Sequence, residues 1–337
     1  MMSEKKVKVG SGWDRNARQG NEIGYLEAVD EGILQEAAKN PNIFVMGEDI
    51  AYKYKHLEAI SNRVISTPIS ELSFTGIGVG AAIAGMRPIV IINFIDLLPL
   101  AMEQIVNNAA LVRYASGGQF SCPLVILVPQ GATRGAGPQH SHSFEGWLIH
   151  IPGLKVAVPS TPEDGKGLMM TSLRGQDPVV FIQHKALRRI KGFCPTEDYT
   201  IPFGVARTVR EGSDVTIVSW LDMLYKSIEA ADELEKEGIS VEVIDPRTLV
   251  PFDEKALLKS LAKTGRLVVV QDETITGGAA AEVSALAADK AFKHLKAPIK
   301  RVAAKDSPIP FADVMADYIK PNKKDIINAV KAVMKKP

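Results

Sequence analysis

The sequence predicts an α/β protein of two domains, the first a parallel-sheet domain and the second a further α/β layer of similar build. Its 337 residues, 46% of them hydrophobic, suffice for two cores of ordinary size. Continuous β-branched runs, not alternating ones, recur between stretches of helical periodicity, the pattern of parallel strands covered on both faces. Between Lys185 and Asp214 this alternation lapses into Lys/Arg-rich and Pro-containing sequence, and it then begins again.

Met1 to Gly10 is expected to be a tail or a first strand, within a polar lead that ends near Gly24. Leu26, Val29, Ile33, Leu34 and Ala37 then recur at helical spacing until Asn40 and Pro41 end the helix. Strands are expected at Ile43 to Met46, Ile89 to Ile92, Leu124 to Val128, Lys155 to Val158 and Val179 to Ile182, with helices at Met102 to Tyr114 and Glu163 to Leu173. An edge strand near Val205 to Val209 leads into the second alternation. There, strands at Val215 to Ser219, Ser240 to Ile244 and Leu267 to Gln271 enclose helices at Leu224 to Lys236 and Asp253 to Ala262, and another helix follows Gly277 and Gly278. Asp253 suits an N-cap, while Gly238 and Gly265 stand where helix C-caps belong. The expected division is an extension over 1–24, a first domain over 25–195, a linker over 196–213 and a second domain over 214–337.

Composition narrows the functional classes. With 40 Lys+Arg against 39 Asp+Glu, no extended basic surface is available to neutralise phosphates, so nucleic acid is not an expected partner. The apolar run Ile89 to Ala101 is interrupted by Asn93, Asp96 and Pro99 and falls short of the roughly 20 residues that span a membrane. The start lacks the apolar block of a secretory signal. Cys122 and Cys194 form no metal or disulfide framework, which suits a reducing cytoplasm.

Two stretches could carry chemistry. From Thr67 to Gly85 a single carboxylate, Glu71, precedes Gly76, Gly78, Gly80 and Gly85, small residues that let a helix approach another backbone closely. The glycine spacing is half of a dinucleotide fingerprint, but Pro68, Ser70, Glu71 and Ser73 occupy the place of the strand that fingerprint requires. By composition alone the favoured reading is that these glycines only serve packing and Glu71 is a cap or a solvated turn residue. The second stretch, Gly131 to Trp147, follows a buried strand and holds His140, His142 and Glu145. His-x-His lacks a firm third metal ligand; an imidazole titrating near neutrality suits proton transfer or hydrogen bonding, and an ordinary surface loop reads the same way. Glu48, Asp272 and Glu273 are further carboxylates at strand ends, each equally a turn residue.

The order of the motifs says more than any one of them. VMGEDI, TPISELSFTGIGVGAAIAGMRPIV, AMEQIVNNAALVRYASGG, QHSHSFEGWLIHIPGLKVAVPSTPEDGKGL, EGISVEVIDPRTLVPFD and KTGRLVVVQDE resemble, in sequence, the beta subunit of thiamine-diphosphate-dependent 2-oxo-acid dehydrogenases. This is the decarboxylating component of the pyruvate, branched-chain and acetoin dehydrogenase complexes. The resemblance implies a transketolase-like pyrimidine-binding domain followed by a transketolase C-terminal-like domain. It also implies an alpha subunit partner in an alpha2beta2 heterotetramer, thiamine diphosphate shared across that interface, Mg²⁺ held through the alpha subunit, and a lipoyl transacylase core that receives the acyl group from the 2-oxo acid. No Gly-Asp-Gly followed by paired asparagines occurs here, so this chain would supply half a site.

Residue by residue, Glu71 is similar to the glutamate that hydrogen-bonds the cofactor's aminopyrimidine, and His140 to the histidine near the reacting carbon. Ser141 and His150 also match, His150 in a packing role. Glu48, Leu97 and Gln104 map to the cofactor pocket. The family's monovalent-cation site, for potassium, maps onto Leu124, Ser172, Leu173, Gly175 and Asp177, with Gly175 where an aspartate is usual. Leu97 stands where Phe or Tyr is usual, Tyr225 where His is common, and the stretch from Ile50 to Ser66 is short and lacks a Gly-Gly loop. These departures keep two alternatives in view: half of a split transketolase, and an assembly or regulatory subunit with a degenerate cofactor site.

Overall fold

The computed structural model describes residues 19–50, 55–133 and 135–335. The expected tail or first strand at Met1 to Gly10 lies outside the described residues. The first half runs β1 (Gly20–Gly24), α1 (Tyr25–Lys39), β2 (Ile43–Glu48), β3 (Val64–Thr67), α2 (Glu71–Ile83) and β4 (Arg87–Ile91). A 3-10 stretch at Ile95–Ala101, a π-helical stretch at Gln104–Ala109 and the single turn α3 (Val112–Ala115) lead to β5 (Val125–Gln130). Then come α4 (Glu145–Ile149), β6 (Lys155–Ala157), α5 (Pro162–Arg174), β7 (Val179–His184) and β8 (Lys191–Pro195). The second half holds β9 (Arg207–Arg210), β10 (Val215–Ser219), α6 (Asp222–Glu235), β11 (Val241–Asp245), β12 (Thr248–Val250) and α7 (Glu254–Thr264). It closes with β13 (Leu267–Thr274), α8 (Ala279–Ala291), β14 (Lys300–Ala304), α9 (Asp313–Ile319) and α10 (Lys323–Met334).

Two α/β layers result. In the first, seven strands are ordered β12-β6-β7-β5-β4-β2-β3, and every pair except β12 with β6 is parallel. Every residue of β5 and β7 is buried, as their unbroken apolar sequence requires of strands covered on both faces. In the second, five strands are ordered β14-β13-β10-β11-β9, with only the edge strand β9 antiparallel. The strands β2, β4, β5 and β7 run the same way, so the segments after Glu48, Ile91, Gln130 and His184 leave the sheet at one edge. Ligand sites in such sheets gather at the carboxyl ends of the strands.

Two features depart from sequence expectation. The helix expected from Met102 to Tyr114 is not continuous: the Ala110 N–H reaches back five residues to the Ile105 carbonyl at 3.0 Å, a π-helical step. There the Asn108 amide turns onto Glu103 Oε2 and Gln104 Oε1, both at 3.1 Å, and this side-chain pull on the turn accompanies the widened ladder. Secondly, β12 belongs to the second half in sequence but completes the first sheet against β6. Arg247, just before it, adopts φ 60° and is buried with its Nε 2.8 Å from Asp164 Oδ1, which ties the two halves together. Burial alone would push the Asp164 carboxyl up, but Arg247, Arg207 and Thr161 outweigh it and hold Asp164 below its ordinary range.

Candidate functional site

After β3, Pro68, Ile69 and Ser70 turn the chain into α2, whose first residue is Glu71. Glu71 is only 4% exposed, and its side chain has no hydrogen-bond or ion-pair partner among the described residues. The glycines lie inside α2, not in a strand-to-helix turn, and two of them have a packing reason. A Cβ on Gly78 would stand 2.5 Å from Val90 Cγ2, and one on Gly76 would stand 3.3 Å from Gln104 Cδ. They allow α2 to lie directly on β4 and on the π-helical stretch. Ile65, Ile69, Leu72, Ile77 and Leu100 are exposed around the same helix, an unusual concentration of large apolar side chains.

The other expected pocket residues sit on neighbouring elements. Glu48 ends β2, buried and in register with Thr67 of β3, whose Oγ1 is buried without a hydrogen-bond partner. Leu97, in the 3-10 stretch, packs half-buried against the core that contains Phe74 of α2. Gln104 donates to Glu103 Oε2 at 2.8 Å, beside Gly76.

The loop after β5 carries the histidines. His140 ends a 3-10 turn at Pro138–His140 and is exposed, with its ring 5.3 Å from that of Phe94. Its carbonyl accepts the Lys185 ammonium at 2.6 Å. The next residues are held by Asp96, whose Oδ1 accepts the Ser141 N–H at 2.9 Å and the His142 N–H at 3.0 Å and lies 2.6 Å from His142 Nδ1. His142, Phe144 and Trp147 form a stacked series with centroid spacings of 5.0 and 4.7 Å. Together with Ser141, Asp272 and Lys320 these rings line a cavity of about 260 Å³ between the loop and the second half. His150 does not pack inward as expected. It follows the single turn of α4, where Leu148 takes the core position and leaves the imidazole exposed.

Behind this loop the two halves meet through carboxyl groups. Glu145, fully buried, accepts Gln130 Nε2 at 2.6 Å and Trp220 Nε1 at 3.1 Å on one oxygen, while its other oxygen is buried without a partner. Glu273 accepts the Gly146 N–H at 2.9 and 3.1 Å and the Ala279 N–H at 2.9 Å. Burial and the neighbouring Glu145 raise the Glu273 carboxyl to about 8. Glu145 is raised as well, chiefly by burial. His184, next to Lys185, lies 3.0 Å from Asp272; burial disfavours its charge, but the carboxylate outweighs that and raises its pKa.

Asp96 and Lys185 are the residues that sequence reasoning passed over. Their signal was present in Asp96, a charge set inside the otherwise apolar run Ile89 to Ala101.

The five positions that map to a cation site lie close in the fold, yet each already has a protein partner. Arg87 donates to the carbonyls of Leu173 at 2.7 Å and Gly175 at 2.6 Å. The Asp177 carboxylate takes Arg113 at 2.7 Å and Lys155 at 2.9 Å, and these cations hold its pKa down against the burial that would raise it. Ser172 Oγ donates to the Leu168 carbonyl at 2.7 Å, and the Leu124 carbonyl accepts the Val179 N–H at 2.9 Å. Among the described residues no group of three or more His, Cys, Asp and Glu could hold a metal ion, and no helix is long and apolar enough to cross a membrane.

Comparison with known proteins places this geometry. Residues 21–191 match the transketolase pyrimidine-binding domain and residues 204–326 the transketolase C-terminal domain. A split-gene transketolase, described as an inactive beta4 tetramer, superposes with a TM-score of 0.78 over 93% of this chain and 99% of that one; at 22% identity this likeness speaks for the fold alone. The fold and the matched segments thus define a transketolase-like α/β chain of two domains. Curated relatives narrow this. The chain is 38% identical to the 2-oxoisovalerate dehydrogenase subunit beta of Bacillus subtilis, over 89% of this chain and 95% of that one. It is 39% identical to the pyruvate dehydrogenase E1 component subunit beta of Rickettsia felis, over 93% and 98%. It is 40% identical to the acetoin:2,6-dichlorophenolindophenol oxidoreductase subunit beta of Cupriavidus necator, over 91% and 96%. The chain belongs to the beta subunits of the thiamine-diphosphate-dependent 2-oxo-acid dehydrogenases, and is an enzyme subunit of that family.

Proposed function

We propose that this chain completes a thiamine diphosphate site with an alpha subunit in an alpha2beta2 heterotetramer, where a 2-oxo acid is oxidatively decarboxylated and its acyl group passes to a lipoyl arm of a transacylase core. The observation that carries this is Glu71, a buried carboxyl group with no internal partner among the described residues, beside a helix face rich in exposed apolar side chains. The Glu71 oxygens still reach solvent in the isolated chain, so a partner laid over this helix would strip their remaining water and would have to supply a hydrogen bond in its place. A nitrogen of the aminopyrimidine ring answers the chemistry of that carboxyl, and the unpartnered hydroxyls of Thr67 and Thr75 add polar lining nearby. When bound, thiamine diphosphate supplies the carbon nucleophile and the electron sink for decarboxylation.

Glu71 would hold the aminopyrimidine through a hydrogen bond to a ring nitrogen and so fix the ring's orientation. Glu48 and Gln104 line the same pocket, and Leu97 gives its apolar wall without an aromatic face. His140, exposed on its loop, orients the 2-oxo acid or supplies a proton during acyl transfer. An alpha subunit laid over Ile69, Leu72 and Ile77 would exclude water from Glu71 while bringing the diphosphate and Mg²⁺ ligands that this chain lacks. Potassium has no part in the proposal: the carbonyls of Leu173 and Gly175 accept a guanidinium, Asp177 is paired with two cations, and a further cation would be repelled there. The two cysteines, Cys122 and Cys194, are buried free thiols, in keeping with a cytoplasmic assembly.

The test is co-expression with a candidate alpha subunit and release of carbon dioxide from a panel of 2-oxo acids, with an artificial electron acceptor. Ketol transfer between sugar phosphates without carbon dioxide would instead indicate a split transketolase. Absence of saturable thiamine diphosphate binding would indicate an assembly subunit. Glu71→Gln should assemble normally and lose about 100-fold or more in turnover, the scale of a lost catalytic proton contact. An unaffected turnover would refute the role of Glu71.

A further inference from the structure

Lys185 is buried, and among the described residues its ammonium makes no ion pair with a carboxylate within 4 Å. It donates instead to the His140 carbonyl at 2.6 Å and lies 4.1 Å from the centroid of the Phe94 ring, which itself packs against the His140 imidazole. Burying an ammonium without a carboxylate partner is unfavourable, and such an arrangement persists where the contact it makes is needed. Burial lowers the Lys185 ammonium to about 8, with Asp96 acting in the opposite sense.

On the next residues along the loop, one Asp96 oxygen gathers two backbone N–H groups and an imidazole nitrogen. Gly131, Gly135 and Gly137 all have positive φ and carry no side chain that could anchor the approach to His140. Beside the bond from the Gly131 N–H to the His142 carbonyl at 3.0 Å, the side chains of Asp96 and Lys185, which leave the sheet after β4 and β7, hold the far end of the loop. We propose that Lys185 and Asp96 are the positioning residues of the catalytic loop, gripping the backbone on either side of the His140–Ser141 peptide and thereby fixing where the His140 imidazole points. The inference rests on the role assigned to His140 above. A catalytic group held in one geometry reacts faster than one that samples many, and a small misplacement costs orders of magnitude.

The experiment uses the reconstituted complex of this chain with its alpha subunit and compares Lys185→Met, Lys185→Arg, His140→Ala and the double variant Lys185→Met/His140→Ala. Lys185→Met should lower kcat by about 10- to 100-fold while changing KM for the 2-oxo acid by less than about threefold. Lys185→Arg, which can still donate to the His140 carbonyl, should recover most of the rate. In the double variant the loss should be close to that of His140→Ala alone, because Lys185 acts through His140. If Lys185→Met were fully active, if its loss added to that of His140→Ala, or if arginine restored nothing, the positioning role would be overturned with the role of His140 intact. A fully active His140→Ala would overturn the role of His140 itself. Should Lys185→Met not assemble, Asp96→Asn takes its place in the same cycle with the same outcomes.

Discussion

Glu273→Gln should flatten the pH dependence of stability in this chain. The wild-type carboxyl is buried between the halves, where Glu145 and the loss of hydration raise it from an ordinary 4.5 to about 8. The folded chain therefore keeps this proton to about pH 8, whereas the unfolded chain releases it near 4.5. Its contribution to stability is full below 4.5 and is lost as the pH rises through 8, by about 1.4 kcal/mol for each pH unit. From pH 5.5 to 8 the loss reaches about 3 kcal/mol. Glutamine carries no charge at any of these values. It keeps one acceptor for the Gly146 and Ala279 N–H groups and gives up the other, a constant cost of about 1 kcal/mol. Because about 1.4 kcal/mol of the wild-type contribution is already gone at pH 5.5, the variant should lie within about 0.5 kcal/mol of wild type there and be more stable by about 3 kcal/mol at pH 8. Thermal midpoints of the isolated chains, measured from pH 5.5 to 8.5, provide the assay. The difference between the two proteins is the quantity to follow, because other groups, such as Asp245, raised to about 7 by burial and Asp164, titrate in both. A difference that stays constant across this range would refute the reasoning.

Two further outcomes test the packing and the ion site. Gly78→Ala places a methyl group 2.5 Å from Val90 Cγ2 and should destabilise the isolated chain by about 1 to 3 kcal/mol, whereas Gly80→Ala meets nothing within 4 Å and should stabilise it by about 0.5 to 1 kcal/mol. Equal thermal midpoints for the two variants would show that the glycines of α2 are not set by contact. With Arg87 on the carbonyls of Leu173 and Gly175, the wild-type midpoint should be the same in potassium chloride as in tetramethylammonium chloride at equal ionic strength, and a rise specific to potassium would contradict the protein-cation account.

The sequence alone was enough for the two α/β layers, because the signals involved are local. Buried strands are written as unbroken apolar runs, and helix ends as single residues: Asp253 caps α7 by accepting the Ala256 N–H at 3.0 Å, and Gly265 ends the same helix at φ 71°. The order of motifs was equally legible, and it led to the family. What only the tertiary structure decided depends on residues far apart in the chain. Asp96 meets Ser141 across 45 positions, Arg87 meets Leu173 across 86, and Gly146 meets Glu273 across 127. The crossing of β12 into the first sheet is of the same kind, because a strand carries no record of which edge it will join. Periodicity and capping are fixed within a turn or two of backbone. The partners of a buried charge are chosen by packing, which brings together groups whose separation in sequence carries no pattern.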